Sequence, residues 1–141
     1  MRTTQKDISG LLRFGHVKEY DAARHMARVN FPGQNVVSGW LPVLVSFAGG
    51  NFTEAHVDAG THVACLMAGE GCEQGVILGA FYDDTNKPGT GDEDVALMVF
   101  ADGGYVRYDR KKHVMTLNSA GDIVIMAAGN VIVEGSRIDL N

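Results

Sequence analysis

His56, His62, Cys65 and Cys72 are the residues in this chain whose types come closest to doing chemistry. Imidazole nitrogens and thiolates are the donors of zinc sites. Their spacing matches none of the common zinc patterns, which place ligands at short, fixed intervals in two sets. If residues 61–67 form a strand, His62 and Cys65 also point to opposite faces. The expectation is a surface histidine, a small core cysteine and no bound metal.

Other constellations fail in similar ways. Asp84, Thr85, Asn86, Lys87, Pro88 and Gly89 faintly resemble a calcium loop. Proline takes the place of the third ligand, and Val95 stands where the loop needs its closing glutamate. A solvated linker is the better reading. Gly69, Gly71 and Gly75 have the wrong spacing for a dinucleotide fingerprint, and no helix pattern follows them. Ser9, Ser38, Ser46, Ser119 and Ser136 lie in no nucleophile elbow. Asp92, Glu93 and Asp94 sit in a polar stretch with nothing apolar to raise a pKa. The chain is therefore not expected to be an enzyme, and neither catalytic residues nor a cofactor are assigned.

One binding constellation survives as an alternative function. Arg13, Lys18, Arg24 and Arg28, with Phe14, Tyr20 and Phe31, suit a single-strand nucleic-acid platform on an OB-fold. A formal net charge of −5 weighs against it, because nucleic-acid binders usually carry a basic surplus.

The elements that must carry these residues are short strands. At 141 residues the chain has room for one domain, or a small domain with an appendage. Eighteen glycines against three prolines fit the many tight turns of an all-β protein. No apolar run is long enough to span a membrane. The first ten residues lack the apolar core of a signal peptide, so synthesis in the cytoplasm is expected. Two cysteines are too few for a disulfide framework, and reduced thiols are expected.

Residues 1–10 read as an N-terminal segment, with at most a short helix over 3–9. Residues 11–20 and 24–31 read as a hairpin around Asp21, Ala22 and Ala23. Val43, Leu44 and Val45 read as a strand. Residues 62–67 and 74–82 read as two more, separated by a turn at Gly69, Glu70 and Gly71. No window between 11 and 82 carries a capped helical period. Five or six short strands in that span predict a small barrel of OB-fold type. Residues 83–94 are acidic and turn-rich and read as a linker. Strands at 96–100 and 105–108 then flank a turn at Asp102, Gly103 and Gly104.

From residue 113 to the end an apolar-alternating segment recurs about every eight residues, punctuated by small or turn-forming residues. Its copies hold Val114–Leu117, Asp122–Ile125, Asn130–Val133 and Arg137–Leu140. A four-residue strand spans only about 13 Å and cannot make its own core. One face reads as Met115, Leu117, Ile123, Ile125, Val131, Val133, Ile138 and Leu140. The other carries Thr116, Asp122, Asn130, Arg137 and Asp139, along with Val124 and Ile132. An antiparallel meander lying on the barrel is one reading. Several chains wrapped into an intertwined β-helix is the other, and it alone buries every apolar face and pairs most strand edges.

Four blocks, in order, give the chain a family resemblance. They are Ser38-Gly39-Trp40-Leu41-Pro42-Val43-Leu44, Glu73-Gln74-Gly75-Val76-Ile77-Leu78-Gly79-Ala80-Phe81-Tyr82, Phe100-Ala101-Asp102-Gly103-Gly104-Tyr105-Val106-Arg107-Tyr108-Asp109, and Gly121-Asp122-Ile123-Val124-Ile125 with its two following repeats. With them the chain resembles the phage baseplate assembly protein V family, the central spikes of contractile tails. Spikes of bacteriocins and of type VI secretion share that design.

The resemblance implies an all-β homotrimer, with an N-terminal OB-fold barrel (11–82) followed by a C-terminal intertwined triple-stranded β-helix (within 95–141). It implies a place in the virion tail baseplate, or in a phage-derived particle, made in the host bacterial cytoplasm. It implies a spike that is needed for baseplate assembly and punctures membranes on sheath contraction. The implied partners are a baseplate hub or tail-tube protein on the N-terminal side and, transiently, the target outer membrane. Nucleic acid is not among them. Trp40 reads as a packing anchor at a barrel edge, with a hub contact as the alternative. Longer family members end in a histidine–X–histidine pair that holds iron at the tip. Here His113 is the last histidine, so no tip metal is expected, and a separate tip-capping protein would fit.

Overall fold

The structure is a computed structural model that describes residues 10–33, 35–69 and 71–141. The helix considered over 3–9 lies outside the described residues, as does Glu70 of the expected turn. The described chain is all-β, built from antiparallel strands. It divides into two compact units, Met1–Pro88 and Gly89–Asn141, and the break falls inside the 83–94 linker.

The first unit is one sheet. Strands β1 (Leu12–Asp21) and β2 (Met26–Phe31) form a hairpin whose turn ends on His25 at a positive φ of 53°. Asp21 braces that turn: its carboxylate accepts from the Ala23 N–H at 3.1 Å and from Arg24 Nε at 2.7 Å. A register shift between Val17 and Glu19 breaks the ladder of β1 with β2 and bends the strand there. The half of β1 before that bend pairs with β5 (His62–Met67), which in turn pairs with β6 (Gly75–Ala80). The short strands β3 (Val36–Val37) and β4 (Leu41–Pro42) both pair with β2.

Val43 then makes a parallel bridge to Ile77, and the Leu44 N–H donates to the Ile77 carbonyl at 3.0 Å. Residues 41–44 thus touch β2 on one side and β6 on the other, and the sheet closes on itself. This corrects the strand expected at Val43, Leu44 and Val45. The paired strand is Leu41–Pro42, Val43 makes only an isolated bridge, and Leu44 and Val45 are exposed. An uninterrupted apolar run reads as a strand whatever its burial, and here most of it faces outward.

Alternation along β2 and β5 sends Ala27, Val29 and Phe31, and Val63, Cys65 and Met67, into the core with Val17, Leu41 and Ile77. Crowding of strands explains Gly15: a Cβ there would stand 2.6 Å from both the Asn30 carbonyl and Val29 Cγ1. Ser38 is the buried polar residue of this core. Its hydroxyl accepts from the Val29 N–H at 2.8 Å and donates to the Gly39 carbonyl at 2.7 Å. Ser38→Ala would leave the Val29 N–H buried without a partner. The expected cost is about 1–3 kcal/mol, read as a fall in the midpoint of urea unfolding.

The second unit is a meander of β7 (Val95–Val99), β8 (Tyr105–Asp109) and β9 (Val114–Asn118). Gly103, at φ 92°, turns the first hairpin, where the Phe100 N–H donates to the Gly104 carbonyl at 2.8 Å. In the second, Asp109 Oδ1 accepts from the Lys111 and Lys112 N–H groups at 3.0 Å each. Beyond Asn118 the chain forms no strand and every residue is exposed.

Candidate assembly interface

Register assigns the faces of the meander. Ala96, Tyr108 and Met115 stand in line across the three strands, and so do Met98, Val106 and Leu117. Residues directly opposite share a face, so these six side chains make one wholly apolar surface. The other face alternates with it and carries Arg107, Asp109, Thr116 and Asn118, along with Val95, Leu97, Val99, Tyr105 and Val114. On it the Arg107 guanidinium lies 5.4 Å from the centre of the Tyr105 ring.

The apolar face is exposed. Met98, Val106, Tyr108, Met115 and Leu117 are all exposed, Met115 at 67%. The same holds further on: Ile123, Ile125, Val131, Val133, Ile138 and Leu140 are exposed, Leu140 at 91%. Among the described residues, no backbone–backbone hydrogen bond reaches residues 119–141. Buried backbone groups and large aliphatic side chains both need partners. Here the aliphatic side chains stay exposed in one copy of the chain.

All eight residues expected to face a seam are therefore available to one. Sequence patterning missed their companions on β7 and β8: Ala96, Met98, Val106 and Tyr108 extend the apolar surface of Met115 and Leu117. Residues 95–99 are apolar at every position, so the face each of them shows follows only from the pairing of β7 with β8.

The residues considered for zinc do not gather. Cys65 is in the core, and His62 is on the other face of β5. Cys72 accepts from Arg13 Nη1 at 3.0 Å. Burial pushes the Cys65 thiol up to about 11. At pH 8 only about one thiol in a thousand would be thiolate, and thiolate is the reactive form. Cys65 is accordingly expected to resist iodoacetamide at pH 8 until denaturant is added, as read by mass spectrometry of the labelled chain. His62 instead meets two residues from elsewhere in the first unit, His16 and Asp83.

Of the cations and rings considered for a nucleic-acid platform, the Arg13 guanidinium lies 5.8 Å from the Phe31 ring centre, and the others form no single platform with them. Phe31 is buried in the core, and Arg13 and Phe14 occupy successive, opposed positions on β1. Arg24 pairs with Asp21 at 2.7 Å and Arg28 with Glu19 at 2.9 Å. Tyr20 sits between two histidines, with its hydroxyl 3.0 Å from His56 Nδ1 and closer to His25 Nδ1. Trp40 is half-buried, and the Arg24 guanidinium lies 4.9 Å from its ring centre. No protein-family model matches the chain, and neither does any curated protein.

Proposed function

We propose that this chain is the central spike of a contractile-tail baseplate and works as a homotrimer. Its first unit would be an OB-fold barrel, and its second would lead into an intertwined triple-stranded β-helix. The observation that carries the reading is residues 119–141, a strip of regular aliphatic spacing that, among the described residues, forms no strand and makes no backbone–backbone hydrogen bond. Fully burying one Val, Ile or Leu side chain is worth about 1.5–3 kcal/mol. The six seam positions within 119–141 of each chain are a large driving force for association.

Three copies wrapped about one axis would bury the strip's inward face and give each strand edge a neighbour. That makes a narrow, edge-free rod, which is what a part driven through an envelope requires. A meander folded within one chain would cover a face of 119–141, and every residue there is exposed. The closure of the first unit's sheet through residues 41–44 fits a small barrel. The scattered cations and buried Phe31 favour this reading over single-strand binding. Its partners would be a hub or tail-tube protein, with Trp40 as the candidate contact, and a separate tip protein.

Function is tested by deleting the chain from the genome that encodes it. Tails without assembled baseplates are expected in electron micrographs. Complete tails that contract and puncture target cells would contradict the proposal.

A further inference from the structure

The first unit holds a cluster that the spike reading does not use. His16 and His62 are directly paired across β1 and β5. Both occupy the outward positions of their strands, and their rings stack with centroids 4.3 Å apart. The Phe81 N–H donates to the His62 carbonyl at 3.0 Å, which continues the β5–β6 ladder past Ala80. Asp83, two residues further on, reaches the same face. Its Oδ2 lies 3.4 Å from His16 Nε2 and 3.7 Å from His62 Nδ1.

Several features of this cluster are those of a ligand set. The carboxylate is held in place without the histidines. Asp83 Oδ1 accepts from the Asn86 N–H at 2.8 Å and the Thr85 N–H at 3.0 Å, while the Asp83 N–H donates to the Asn86 carbonyl at 3.0 Å. That turn leaves Oδ2 turned to the imidazoles. His62 Nδ1 is buried and has no hydrogen-bond partner. The Phe81 ring, 4.0 Å from the His62 ring, covers one side.

Separations of 3.4 and 3.7 Å are too long for good hydrogen bonds. Around a tetrahedral ion with bonds of about 2.0–2.1 Å, neighbouring donor atoms stand about 3.3 Å apart. The three donor atoms lie within 4.8 Å of one another. The rings are stacked at 14°, so the more exposed His16 ring must turn out of the stack for both lone pairs to meet at one ion.

We propose that His16, His62 and Asp83 bind a divalent first-row transition ion, with zinc the best match. Two imidazoles and one carboxylate suit zinc, nickel or cobalt over calcium or magnesium, which take oxygen ligands. Three protein ligands leave a fourth position for water or for a donor from a docked partner. The ion would tie β1, β5 and the segment after β6 together on the outer face of the sheet. The assignment stands independently of the spike reading.

The test uses the full chain stripped with a chelator, then titrated with Zn2+ against a chromogenic competitor and with Co2+ by visible absorption. One ion per chain is expected. Asp83→Asn keeps an oxygen for the Thr85 and Asn86 N–H groups but removes the charged ligand. His16→Gln alters a half-exposed side chain. Each is expected to weaken Zn2+ binding by more than about tenfold, with the far-UV circular dichroism of wild type. His56→Gln should bind as wild type does. Absence of stoichiometric binding, one ion per three chains, or unchanged affinity in both site variants would overturn the assignment.

Discussion

Ile125→Asp and Val133→Asp are each expected to abolish the proposed trimer. Either substitution puts three carboxylates around one axis, where the wild-type side chains would meet each other. A buried unpaired ion costs several kcal/mol even after relaxation, so three per assembly come to on the order of 10 kcal/mol. In one chain both positions are exposed, Ile125 at 70%. The substitution therefore costs the isolated chain little, and the first unit should fold as before. Protection of Cys65 from iodoacetamide reports that fold separately, since Cys65 is in the core of the first unit. The expected pattern is loss of the trimer by size-exclusion chromatography with Cys65 still protected. A variant that runs and melts as a wild-type trimer would show that the inward register is misassigned.

A second large effect is expected to separate two adjacent residues of β9. Leu117 stands in line with Val106 and Met98 on the apolar face, and Thr116 stands opposite Arg107 on the other. Leu117→Asp would bury a charge at the subunit contact and dissociate the trimer, at a cost of several kcal/mol per chain. Thr116→Asp would place a carboxylate across from a guanidinium at a partly buried position, an effect of about 1 kcal/mol or less. Light scattering on the two variants at one concentration checks the contrast. Equal dissociation by both would mean that both faces of the meander are covered.

Part of this was legible in the residues alone. The all-β class followed from turn-rich composition and alternation. The strands at 62–67 and 105–108 were readable as short runs of β-forming residues bounded by glycine- and aspartate-rich turns. The run at 43–45 misled, because three successive aliphatic residues carry no facing information and Pro42 already limits pairing. Opposed faces for His62 and Cys65 came directly from the period of a strand. The partners of His62 did not, since His16 reaches it only through the β1–β5 register and Asp83 only through the path after β6. The seam residues of the strip were legible because their spacing repeats. Their companions Ala96, Met98, Val106 and Tyr108 needed the pairing of β7 with β8 to be placed on the same face.

The central claim is that the apolar strip is buried by two further copies of the chain. Multi-angle light scattering on the purified full chain measures this directly. The expected mass is three times the 15.1 kDa of one chain, unchanged on dilution across the micromolar range. A stable monomer would contradict the account.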